Sequence, residues 1–280
     1  MPITEKQRRQ IIAAFCIVFY LLLLFKLRNG FLLFQLKPIL FNTRFDLMTW
    51  IFMKTGLHQW LLQNPSGWIA FDVLFYIMPA AYWFSYKISI KISAAVAFVM
   101  LLVNWVYIQC YTLYPANSIE GFTAWLLFPF LFMAVNLKTF YLILHALRYF
   151  FLFFFISAAL WKFSQGGIFN LHEMSGVLLF QHKEYLASSP GHWYTNFIYW
   201  LIQHPGASYF LYAAATAIEL VFVVGFFTKK YDAILIGIVL LFLVMDVLVM
   251  RIPYLEIAPF LLTLFFSKYT QPLQNVVQKG

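Results

Sequence analysis

Residues 139–161 read TFYLILHALRYFFLFFFISAALW. A single full charge, Arg148, interrupts these 23 positions. As an α-helix the stretch is about 35 Å long, enough to cross a hydrocarbon core of about 30 Å. A barrel strand would alternate apolar and polar positions. Tyr149–Ile156 is apolar or aromatic at every position, so the stretch reads as a helix in lipid.

The same reading extends along the chain to Ile11–Leu27, Gly67–Phe84, Ser89–Thr112, Ser208–Phe227 and Tyr231–Met250, with shorter runs at Phe122–Val135 and Pro253–Phe266. Composition agrees. Hydrophobic residues make up 63% and charged residues 10%, against about 45–50% and about 25% in soluble domains. The expected architecture is all-α: one transmembrane domain, 1–280, with about eight spans. Residues 26–66 and 163–206 are extracytoplasmic or interfacial segments. Five basic residues in 26–64 (Lys26, Arg28, Lys37, Arg44 and Lys54) fit amphipathic helices at the interface, or a re-entrant piece around Phe31–Phe41.

The net charge of +9 comes from basic residues scattered at span ends: Lys6, Arg8 and Arg9, then Lys87 and Lys91, Lys138, Lys229 and Lys230, and Lys268 and Lys279. With eight spans all of these share one side, so both termini are expected in the cytoplasm of a bacterial inner membrane. The loop around Glu120 and residues 162–206 then face outward. Membrane lipids are the expected partners, a second membrane protein is another candidate, and nucleic acid is not expected. Cys16 and Cys110 form no CxxC pair, and the histidines include no HExxH, so no metal is expected.

Charges inside spans are costly and mark partners or cavities. Counted by rise along each helix, Arg148 and Glu219 both come near the midplane and are expected to pair, with His145 one turn before Arg148. Lys162, Asp72 and Asp246 fall toward the outer leaflet. Lys162 and Arg148 lie about 40° apart around their helix and can face one cavity. A desolvated Lys162 would serve as a base, with Asp246 or Asp72 orienting it or relaying protons. His172, Glu173 and His192 lie in a segment that reads as a roof over that cavity, or as an interfacial helix.

The phrase Phe155-Ile156-Ser157-Ala158-Ala159-Leu160-Trp161-Lys162-Phe163 resembles the membrane region of the vitamin K-dependent gamma-carboxylases and their bacterial relatives, the horizontally transferred transmembrane domain family. Glu219-Leu220-Val221-Phe222 resembles the E-L-x-F helix start of that family. The resemblance implies a base role for Lys162 toward a quinone-type molecule. A histidine that the family carries stands here as Asp246. The large extracytoplasmic domain is not expected before Gly280, so peptide carboxylation is not expected. Three functions stay open: a membrane protein with an outward cavity for a quinone or other lipid-like substrate, a non-catalytic subunit of a complex, and a small-solute transporter.

Overall fold

The computed structural model describes residues 2–36, 47–112, 123–252 and 254–271. Lys37, Arg44, the loop around Glu120, Pro253 and Lys279 lie outside the described residues.

The described chain is helical and contains no strand. In order come α1 (Glu5–Asn29), α2 (Leu47–Lys54), α3 (Leu57–Gln63), α4 (Pro65–Ile88), α5 (Ile90–Thr112), α6 (Thr123–Met133) and α7 (Leu137–Ser164). There follow α8 (Glu173–Ser188), α9 (Trp193–Gln203), α10 (Pro205–Val221), α11 (Val224–Phe227), α12 (Asp232–Met245) and α13 (Leu261–Phe265). A π turn, Asp246–Met250, extends α12, and a 3-10 stretch, Leu255–Phe260, leads into α13.

Among the described residues, six helical segments are long and apolar enough to cross a membrane: Glu5–Asn29, Pro65–Ile88, Ile90–Cys110, Leu137–Ser164, Pro205–Phe227 and Asp232–Met250. Thr123–Met133 and Leu255–Phe265 are shorter apolar helices. The second gains reach from its 3-10 half, which rises about 2 Å per residue. Burial agrees with a lipid solvent. On α1, Ile11, Phe15, Phe19 and Leu22 are buried while Ile17, Leu21 and Leu24 are exposed. Exposed apolar stripes of this kind mark contact with membrane.

The chain forms two compact units, Met1–Leu147 with Leu255–Gly280, and Arg148–Tyr254. In the first, stacked aromatics fill the centre, including Phe15 on Phe128 and Phe75 on Tyr107. A polar knot closes each end. At one end the fully buried Arg8 donates to the carbonyls of Ala134 and Val135 and sits against the rings of Tyr86 and Phe140. This joins the start of α1 to the ends of α4 and α6 and the start of α7. The Ile3 N–H bonds to the Thr270 carbonyl, so both ends of the described chain come together.

At the other end Asp72 accepts from the Leu33 and Phe34 N–H groups, at 3.2 and 2.9 Å, and from the Tyr107 hydroxyl at 2.6 Å. Lys26 pairs with Glu256 at 2.7 Å and is buried. One of the five basic residues that crowd this segment is therefore neutralised inside the unit. The left-handed Gly30, φ 74°, turns the chain back after α1, as a residue without Cβ readily does.

In the second unit α7 packs through Phe155, stacked at 4.3 Å on Phe222 just past the end of α10 and edge-on to Phe242 of α12. The segment 163–206 contains two helices, α8 and α9, the second of them amphipathic. They share a core of Met174, Leu178, Leu186, Tyr194, Ile198 and Leu201 with Val249 of the π turn, and expose Phe180, Trp193 and Trp200.

Candidate functional site

The expected Arg148–Glu219 pair does not form, because both groups have other partners. Arg148 forks onto Asp232, with Nε to Oδ2 at 2.8 Å and Nη2 to Oδ1 at 2.5 Å, and also donates to the Gly225 carbonyl at 2.9 Å. Glu219 instead pairs with Lys162, Nζ to Oε1 at 2.7 Å. The reason lies in side-chain direction. Helical side chains lean toward the N-terminus of their own helix, so a long cation acts a turn or more below its Cα. Depths counted from Cα positions place Arg148 level with Glu219, whereas its guanidinium reaches the turn between α11 and α12. Lys162, leaning the same way, comes down to Glu219.

The turn that receives Arg148 depends on Gly225. A Cβ there would lie 2.6 Å from Leu152 Cδ2 and 3.1 Å from Leu235 Cδ1. The absent side chain lets α7 and α12 close on the turn and presents its carbonyl to the guanidinium.

Around Lys162 the structure gathers a small polar cluster. Lys162 Nζ sits 5.2 Å from the Tyr212 ring centroid, over its face. Tyr212 and Glu219 are seven residues apart, two turns along one face of α10. Gly166, left-handed at φ 75°, ends α7, and Gly167 leaves room for the Tyr212 hydroxyl, which would lie 2.8 Å from a Cβ at that position. Asp246, on the π turn, lies within electrostatic range of Lys162 and Glu219. Glu219 Oε2 and Asp246 Oδ2 are both buried and accept no hydrogen bond from the described residues. One ammonium therefore pairs with Glu219 and lies within electrostatic range of a second carboxyl group, Asp246.

Beside this cluster runs an apolar trough of about 250 Å³ between α10 and α12. Leu211, Ala214, Ala215 and Ile218 form one wall at helical spacing, and Ile238, Leu241, Phe242 and Met245 form the other. Met174 of α8 closes the end, and Asp246 is the one charged residue of the lining. Asp246 is thus the carboxyl group that borders the apolar space, while Glu219 follows Ile218 of the wall without itself lining the trough.

The remaining expected site residues fall elsewhere. Asp72 belongs to the first unit, where both its oxygens are occupied in anchoring the Leu33–Phe34 loop. His145 is also in that unit and packs edge-on against Tyr141 at 4.3 Å. In the second unit, His172 stands exposed just before α8 without a side-chain capping bond, and Glu173 accepts from Asn170. His192 caps α9, its Nδ1 receiving the Tyr194 N–H and lying 3.0 Å from the Tyr185 hydroxyl. No group of three or more His, Cys, Asp or Glu side chains suited to a metal occurs among the described residues.

Sequence reasoning missed Tyr212 and Asp232. The seven-residue spacing to Glu219 could have marked Tyr212. Asp232, two residues after Lys229-Lys230, reads as an ordinary loop charge, and nothing in the sequence singles it out.

Comparison with protein families, with characterised proteins and with solved structures finds no match to this chain.

Proposed function

We propose that this integral membrane protein binds a lipid-soluble molecule, a quinone or another lipid-like substrate, in the trough between α10 and α12. Lys162, Glu219 and Asp246 stand at its polar edge and exchange protons with the bound molecule. The carrying observation is the pair of buried, unpartnered carboxylate oxygens, one of which lines an otherwise apolar cavity. Stranding such groups without a donor is costly, and sites that do so commonly await a proton or a ligand. The π turn beginning at Asp246 is a second support, since such turns concentrate at functional positions. The likeness of 155–163 to the carboxylase membrane region, where the matching lysine is the base, supports the same role for Lys162.

The orientation that accompanies this reading puts both termini in the cytoplasm of a bacterial inner membrane and the trough toward the opposite leaflet. It is supported by the basic residues at alternate span ends. The Ile3–Thr270 bond supports an even number of crossings.

A lipid probe carrying a photoreactive group in its chain tests the proposal on the detergent-purified protein. Labels are expected on Leu211, Ile218 and Met245, with loss of labelling in Ala215→Trp, which fills the trough. Labelling spread over the exposed face of α1 and unchanged by Ala215→Trp would refute it.

A further inference from the structure

The trough has a polar annex. Met250 belongs both to the trough wall and to a second hollow of about 380 Å³, which is lined by Gln181, His182, Glu184, Tyr185, Ser188 and Arg251. Apolar and polar spaces thus adjoin at the end of the π turn.

Arg251 is held there deliberately by the backbone. Its N–H closes the π turn on the Asp246 carbonyl, and its φ of 55° is the one positive value among described residues other than glycine. Such a conformation costs energy for a bulky residue and persists where the surroundings impose it. The guanidinium lies 4.1 Å from the Tyr185 ring centroid and 5.9 Å from that of Tyr194. Arg251 is exposed and pairs with no carboxylate of the described residues. A guanidinium lying over an aromatic ring can still donate from its N–H groups, whose fork matches two phosphate oxygens.

Glu184 lines the same hollow, is exposed, and likewise forms no ion pair with the described residues. Neighbouring groups are already engaged. His182 Nε2 bonds the Val249 carbonyl at 2.8 Å, and the Tyr185 hydroxyl meets His192. The hollow therefore offers one unpaired cation and one unpaired anion. A neutral quinone head would use neither charge. A headgroup with surplus negative charge would meet Arg251 but be opposed by Glu184. A headgroup with both signs satisfies both.

We propose that the occupant of trough and hollow together is a phospholipid with a phosphate–ammonium headgroup. Its phosphate lies on Arg251, its ammonium near Glu184, and an acyl chain runs past Met250 into the trough. Asp246, one π turn from Arg251, then stands beside the glycerol backbone. Exposed Trp193, Trp200 and Phe180 on the flanking helices suit the same depth, where aromatics meet headgroups. This inference rests on the trough reading and narrows it to one class of lipid.

The test is native mass spectrometry of the full chain in detergent, titrated with short-chain lipids of equal acyl length. The probes carry phosphoethanolamine, phosphoglycerol or phosphate heads, and inorganic phosphate is the competitor. The phosphoethanolamine lipid is expected to bind about tenfold more tightly than the other two, the worth of one charge-assisted contact. Arg251→Gln should lose about the same factor, and Arg251→Lys should recover part of it. Glu184→Gln should erase the preference over the phosphoglycerol lipid without weakening the latter.

Equal or tighter binding of the phosphate-headed lipid by the unmodified protein overturns the proposal. So does indifference to Arg251→Gln, or displacement of lipid by inorganic phosphate at similar concentration, which would mean a free-anion site. The two readings fail separately. If every probe is lost in Ala215→Trp but none discriminates by head, only the headgroup inference falls. If no probe responds to Ala215→Trp, the trough reading falls with it.

Discussion

Lys162 and Glu219 meet at 2.7 Å between α7 and α10, and the glutamate side chain is 3% exposed against 20% for the lysine. The ammonium thus keeps contact with its surroundings while the carboxylate is enclosed. Removing the lysine alone strands a buried anion, whereas removing both charges does not. Lys162→Met is expected to destabilise the protein by up to about 3–5 kcal/mol, and the double change Lys162→Met with Glu219→Leu to recover most of it. Thermal unfolding in detergent measures both. The double variant should stay folded yet lose proton exchange with a bound substrate. A fully active double variant would leave the cluster with a structural role only.

Arg148 holds the turn between α11 and α12 through Asp232 and the Gly225 carbonyl. Lysine cannot reproduce that fork. Arg148→Lys is expected to cost about 1.5–3 kcal/mol, the scale of a charged hydrogen bond, and Arg148→Ala about 3–5 kcal/mol. Gly225→Ala forces Leu152 to move and should cost about 1–3 kcal/mol. A melting temperature unchanged in all three variants would contradict the role given to this turn.

Asp72 anchors a loop, so its substitution should act locally. Asp72→Asn retains one carbonyl acceptor for the Leu33 and Phe34 amides and loses the charge. Hydrogen exchange at those two amides should accelerate by about tenfold or more, consistent with losing a charge-assisted bond. Lipid binding in the second unit should not change. Loss of binding in this variant would return Asp72 to the candidate active site.

His182 gives the α8–α9 pair a pH dependence. Burial, and then the Arg251 charge, hold its imidazole below the ordinary value of 6.5, against the opposing bond to the Val249 carbonyl. Tyr194 also faces the ring. The unfolded chain therefore binds the proton more readily than the folded one, and stability rises with pH across this window. The contribution is complete above about pH 6.5 and is lost as pH falls toward the lowered folded value. Protection factors in 173–203, exchange corrected for its base-catalysed intrinsic rate and measured between pH 7.5 and 5.5 (about two units spanning the ordinary histidine value), should fall as pH falls. In His182→Asn that slope should flatten, and an identical slope in the variant would assign the effect to another group.

The helices were legible because lipid imposes one rule everywhere: backbone groups must pair within the segment, and long apolar runs can do so only as helices. TFYLILHALRYFFLFFFISAALW is enough to place α7. Glycine signals also survive in one dimension, as Gly166 does at the end of α7. Lys162, Glu219 and Asp246 were marked as candidates by their cost in an apolar span.

Their partners were not legible. Pairing depends on where a long side chain ends rather than where its Cα begins, and on which helices stand side by side. Arg148 took Asp232, Glu219 took Lys162, and Asp72 was drawn into a loop anchor. The trough, the hollow at Arg251 and the place of Tyr212 exist only once α8, α10 and α12 are packed. Solvent chose the elements residue by residue. Distances of a few ångströms between residues far apart in the chain chose the chemistry.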